Sequence, residues 1–414
     1  MPPPLSPRLT ATLRAATVDG PLRALRHPDF ARFATGQTVS LIGTWMQSIA
    51  LGWLVLELTG SAFAVGLVTT LNTLPILFFT LYGGVVADRV DKRRFIILLQ
   101  TVMLLEATAL ATLALSGHVT VPWIYALALV HGLATAFEVP ARQAFLVELV
   151  PHHDLVSAAA LNSTIYNLAR VIGPAIAGVI LATLGPGICF ALNAASYLAV
   201  LFSLGRIRHR SPAGSTARRS VLTGVRFIAA RPALKAMTLQ MVLITVFAVA
   251  FIPILPVFVR DALEGGAQGY GTLTSALGVG AASGAIIVGA LGHRIPRARL
   301  ASMGCVALAS AVILLGLTRS FPAAVIWIGM AGAAMATTGI ATATSLQLAA
   351  APELRGQVMA VYSFVVLGLA PFGAFQSGWV AEHLGAAPAF LACGVVSLLG
   401  TLWLRPRLWH TEEG

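Results

Sequence analysis

Glu106, Glu138, Arg142 and Arg170 are ionisable residues embedded in stretches that are otherwise almost uniformly apolar. Glu138 and Arg142 stand four apart, the spacing that sets two side chains on one helix face where they can pair. A charge inside an apolar layer is costly unless it is paired or faces a polar cavity, so these four positions are where protons, ions or a charged cargo could be handled. Other chemistry lacks its residues. Cys189, Cys305 and Cys393 are isolated in apolar runs without CxxC spacing, so neither a disulfide nor a metal site is expected. The lysines are Lys92 and Lys235, neither preceded by glycine, which excludes a phosphate-cradling loop and ATP as direct fuel. No HExxH or GxSxG arrangement occurs, and His152-His153-Asp154 reads as a solvated turn. The sequence therefore predicts no cofactor and no enzyme.

The elements that must position these residues are membrane spans. Of the 414 residues, 57% are hydrophobic and 10% charged, against about 25% charged in soluble chains. The apolar residues fall into runs of the length, roughly 20 residues, that crosses a hydrocarbon layer as helix. Twelve runs are read, six between Phe33 and Leu204 and six between Leu234 and Leu404. This predicts a tail over 1–32, a six-helix bundle over 33–204, a linker over 205–233, a second bundle over 234–404 and a tail over 405–414. The first tail has no apolar core of signal-peptide type.

Of the 27 Lys and Arg residues, 24 lie toward the side made of both tails and the even-numbered loops, which predicts that both termini are cytoplasmic. The net charge of +12 resides in short loops without interleaved aromatics, which argues against nucleic-acid binding. Gly84 stands four before Asp88-Arg89, and Gly289 four before His293-Arg294, an echo that suggests two parallel repeats.

The stretch Gly84-Val-Val-Ala-Asp88-Arg89-Val-Asp91-Lys92-Arg93-Arg94 resembles the signature loop between helices two and three of the major facilitator superfamily. Gly36 to Gln47, Glu138 to Ala144 and Ala169 to Pro174 are similar to its bacterial branch of enterobactin-exporter-like and macrolide-efflux-like permeases. The resemblance implies an all-α membrane fold of twelve helices in two pseudo-symmetric bundles, acting as a monomer in the bacterial inner membrane. It implies secondary export, by alternating access, of a small amphipathic molecule such as a drug or siderophore, in exchange for protons. A lysophospholipid flippase of the same fold and a non-transporting scaffold or sensor are the alternative readings.

Site residues follow from the same resemblance. Gly84, Asp88, Arg89, Lys92 and Arg93 would form the gating loop, with Asp88 latched onto the Gly356-Gln357 start of helix eleven. Asp91 replaces the usual glycine of that loop and is expected to supply a left-handed turn. Ala128 replaces the arginine often found in helix four of drug:proton antiporters. Gln47, Asn72, Asn167, Gln240, Thr245, Trp327, Thr337 and Gln376 would line a mostly apolar cavity. Gly173, Pro174 and Gly178 would bend helix five at the seam between halves. At 1.5 Å per residue from the inner ends, Glu106 lies about 16 Å deep, Glu138 about 14 Å and Arg170 about 22 Å. One of the acids should therefore answer Arg170, with Glu138 favoured as the proton carrier because helix four lines the cavity in the family.

Overall fold

The computed structural model describes residues 22–207, 221–351 and 354–404, and among these there is no strand. The outer part of the first tail, the whole of the second tail and the middle of the linker lie outside the described residues. Among the described residues, twelve helices are long and apolar enough to cross a membrane. They are α1 (Pro28–Thr59), α2 (Ala62–Arg89), α3 (Lys92–Leu115), α4 (Val121–Glu148), α5 (Leu155–Leu184) and α6 (Pro186–Arg206). The second set is α7 (Pro232–Phe251), α8 (Ala267–Leu291), α9 (Arg297–Leu317), α10 (Phe321–Ala349), α11 (Arg355–Leu384) and α12 (Ala386–Leu404).

Local chemistry sets the ends. Pro28 opens α1, and Gly60 closes it in the left-handed conformation with φ 66°. Ser61 then caps α2 by accepting from the Ala64 amide. Asp91 does not adopt the left-handed turn expected of it: with φ −62° it is the N-cap of α3, accepting from the Arg94 amide. An aspartate can stop one helix and start the next without positive φ, which is why the substitution for glycine is tolerated.

The packing repeats after six helices. In the first half α1 lies on α6, α2 on α4, and α3 on α4 and α6. In the second, α7 lies on α12, α8 on α10, and α9 on α10 and α12. Two seams join the halves, α5 against α8 and α2 against α11. Both seams bring backbone onto backbone. A Cβ on Gly178 would stand 2.9 Å from the Gly271 Cα, and one on Gly66 would stand 2.8 Å from the Gly378 Cα.

Two spans depart from the unbroken helices expected. Span seven, read as running to Val259, passes into a π segment at Ile244–Ala248 and a 3-10 turn at Val249–Phe251, and resumes as Leu255–Ala262. Pro253 and Pro256 lack the amide hydrogens that α geometry would require there. In α11 a π segment at Phe364–Gly368 precedes Pro371. α5, where Pro174 was expected to mark a bend, runs as continuous helix from Leu155 to Leu184. The irregular backbone thus belongs to α7 and α11.

The halves meet at the end of the α1–α2 turn and part at the end of the Asp88 loop. At the closed end, Glu382 accepts from the Ser61 hydroxyl (2.9 Å) and the Phe63 amide (3.0 Å), and the Phe63 and Phe375 rings meet edge to face. Arg260 donates to the Gly60 carbonyl at 3.2 Å. At the other end Tyr82 and Val85 on α2 are exposed, and a Cβ on Gly84 or Gly289 would meet nothing within 4 Å.

Candidate transport site

Arg170 lies where the parting halves converge. Its helix face is fixed by its neighbours. Val171, Pro174 and Gly178 pack on α8, while Gly173 packs on Trp45 and Ile42 of α1. Leu168 and Val179, both about half exposed, lie near 160–180° from Arg170 around the helix axis at 100° per residue and face the surrounding apolar layer. Arg170 therefore points between α1 and α8, into the space that opens toward the Asp88 loop. About 12 Å further along the helix, the Gly178–Gly271 contact brings the two halves together.

The partner expected for this arginine is not there. Neither Glu106 nor Glu138 reaches it, and no carboxylate pairs with it among the described residues. The two acids face α4, α1 and α6 inside the first half, whereas α5 lies on the opposite flank of α1. Arg170 instead stands 5.9 Å from the centre of the Trp45 ring, and the Tyr166 ring meets Trp45 edge to face at the same distance. Trp45 is partly buried and Tyr166 is 43% exposed, so two aromatic surfaces and a guanidinium share one wall. Asn167 turns back to donate to the Ser163 carbonyl of its own helix. Depth along a span carries no azimuth, and the azimuth decided the pairing.

Glu138 is paired with Arg142 at 2.9 Å, as their spacing predicted, and also accepts from Gln100 at 3.3 Å. All three are buried. Glu106 has different company. Gln47 donates to both its oxygens at 3.0 Å, and His131 Nδ1 lies 3.3 Å from Oε2. Asn193 in turn donates to Gln47 at 2.8 Å and receives Ser196 at 3.0 Å. His131, Asn193 and Tyr166 were not singled out from the sequence. His131 carried a usable signal, a titratable ring in an apolar span one helix along from a buried acid.

Most residues expected to line the cavity are instead used in packing. Gln47 belongs to the network on Glu106, and Gln240 donates to the Thr401 carbonyl between α7 and α12. Thr337 faces the Gly284 carbonyl, Thr245 is buried, and Trp327 packs against the apolar core. Gln376 donates to the Val246 carbonyl at 3.0 Å, satisfying backbone within the α7 π segment. Asn72 is half-buried on α2. In an apolar span a lone amide or hydroxyl serves the backbone of a neighbour as readily as a ligand, and the sequence pattern is the same.

The loop residues divide likewise. Lys92 pairs with Glu148 at 2.9 Å, and Arg93 donates to the Leu204 and Gly205 carbonyls at the end of α6. Both hold the first half together. Arg89 and Asp88 are exposed, and Asp88 has no hydrogen bond or ion pair among the described residues. The expected latch is not made here: the linker helix Val221–Ala229 packs on the start of α11, with Gly224 against the Gln357 carbonyl. Asp154, read as part of a solvated turn, is buried under Arg23 and His27, each 2.7 Å away.

Residues 19–413 match the family model described as transmembrane secretion effector. The chain is 25% identical to the multidrug efflux pump Tap of Mycolicibacterium fortuitum over 86% of its own length and 90% of that protein's. It is 26% identical to the enterobactin exporter EntS of Escherichia coli over 92% and 93% of the two chains. The crystal structure of the nucleoside transporter NupG superposes with a TM-score of 0.73 at 12% identity, covering 92% of this chain and 99% of that one, which establishes the fold. With twelve spans, two repeats and near full-length agreement, the chain belongs to the transmembrane secretion effector family, the efflux-like branch of the major facilitator transporters, and is a multi-pass membrane transporter rather than an enzyme.

Proposed function

We propose that this protein exports amphipathic organic compounds carrying an anionic group and an aromatic surface, by alternating access and in exchange for protons, across a bacterial inner membrane. The observation that carries the reading is Arg170, a guanidinium without a carboxylate partner among the described residues, at the head of the space between the halves, beside Trp45 and Tyr166. An unpaired cation at that depth is expensive, and a cargo anion would relieve the cost while the two rings cover its apolar part. The names of Tap and EntS support export as the direction. The charge bias supports a cytoplasmic Asp88 loop, and on that orientation the parted halves correspond to a loading state.

The test uses the purified full chain in proteoliposomes, with fluorescein as an anionic aromatic probe and rhodamine 6G as a cationic one. Fluorescein is expected to be carried in preference. A charge-assisted hydrogen bond is worth about 1.5–3 kcal/mol, so Arg170→Gln should lower fluorescein transport roughly 10- to 100-fold, with partial recovery in Arg170→Lys. Equal transport of both dyes, or an unaffected Arg170→Gln, would reject the anionic class.

A further inference from the structure

Among the described residues, the buried acid that remains without a full-time counter-ion is Glu106. Glu138, four residues from Arg142, has a guanidinium at 2.9 Å and is held as one half of a neutral pair. Glu106 is equally buried, yet its partners are the neutral Gln47 amide and the His131 ring. We infer that Glu106 and His131 together form the proton-binding site of the transport cycle, a refinement that rests on the antiport reading above, and that Glu138 is not the carrier.

Every helix packed around Glu106 can be checked for competing charge. α4 presents His131, Glu138 and Arg142, of which the last two cancel. α6 presents Asn193 and the Tyr197 hydroxyl, which lies 3.4 Å from Thr44, and α1 presents Gln47. The net charge of the cluster therefore depends on one proton. With that proton present the cluster is neutral; without it, a single negative charge is buried with only amide and imidazole support. A buried carboxylate that lacks a cation is strongly disfavoured, so loss of the proton must either not occur or be accompanied by a rearrangement. That proton is shared between Glu106 Oε2 and His131 Nδ1, which stand 3.3 Å apart.

The rearrangement has a path. Gln47, bound to both oxygens of Glu106, is two residues from Trp45 on α1, and the two side chains leave the helix on opposite flanks. Trp45 faces the space holding Arg170; Gln47 faces the proton site. α1 is fixed on its far side by Asn193 and Ser196, which pack so close to Gly43 that a Cβ there would collide with both. A cargo seated on Trp45 and a proton held on Glu106 thus act on one rigid helix from its two sides, which is the coupling that antiport requires.

The experiment reads protonation without needing a cargo. Infrared difference spectra of the full chain in lipid, titrated from mildly acidic to alkaline pH, should show a buried carboxylic-acid band that Glu106→Gln removes, His131→Gln shifts in midpoint, and Glu138→Gln leaves in place. The flux arm is pH-gradient-driven fluorescein transport, expected to fall at least 10-fold in Glu106→Gln and to recover partly in Glu106→Asp. A band that survives Glu106→Gln, or vanishes in Glu138→Gln, overturns the assignment. If the gradient drives wild type and Glu106→Gln alike, antiport stands and the site is wrong. If wild type carries the dye with no response to the gradient, antiport itself fails.

Discussion

Glu138 and Arg142 show how one residue's value depends on its neighbour. Breaking a buried pair from one side leaves an uncompensated charge, at a cost of about 3–5 kcal/mol, whereas replacing both by apolar residues of similar size is often neutral. Arg142→Leu is therefore expected to lower the thermal unfolding midpoint in detergent markedly, and Arg142→Leu combined with Glu138→Leu to restore most of it. Equal losses in the single and double variants would show that the pair does not brace the helix. The i,i+4 spacing made this pair legible in the sequence. The Glu106–His131 contact was not, because it joins two helices and depends on their rotation. Arg170 stood out in the sequence but was misread as a pair for the same reason: a hydropathy profile reports depth, and partners are chosen by azimuth.

At the scale of elements, spans and their order were readable because each needs about 20 apolar residues and nothing else in this chain competes with that pattern. The broken course of α7 and α11 was less so, since proline marks where an amide is missing but not whether the helix tightens, widens or continues. Pro174 and Pro371 make the contrast: one sits in continuous helix and the other follows a π segment. The seams lend themselves to test. A side chain at Gly178 or Gly66 must push the facing backbone away, so Gly178→Val and Gly66→Val are expected to loosen the closed end. A cysteine placed at Thr70, buried in this structure, should then react with an impermeant thiol reagent several-fold faster than in the parent. Unchanged reactivity would mean that the seams tolerate separation elsewhere.

For the whole molecule, orientation comes first. In a background without Cys189, Cys305 and Cys393, a cysteine at the exposed Glu264 should be labelled from outside intact cells and one at the exposed Arg89 should not. The reverse pattern would invert the proposed topology. The halves also carry a reciprocal device. Near the C-terminal end of α11, Glu382 caps the first turn of α2; near the C-terminal end of α2, Asp88 stands free to do the same for α11. The two helices run antiparallel, so each acid can reach the other's start only when that end of the molecule is shut. Under the alternating access proposed above, a rocking motion that frees one acid would engage the other, and the difference between the two similar bonds would contribute to the resting orientation. A carboxylate on a helix start contributes about 0.3–1 kcal/mol, enough to shift a two-state ratio up to about 5-fold. Glu382→Gln should accordingly raise the population open at the Glu382 end, measured as the distance distribution between spin labels on Thr59 and Leu384, and Asp88→Asn should lower it. Such a molecule behaves like a balance with a carboxylate on each pan, whose dwell on either side of the membrane can be set by evolution one charge at a time, far from the cargo.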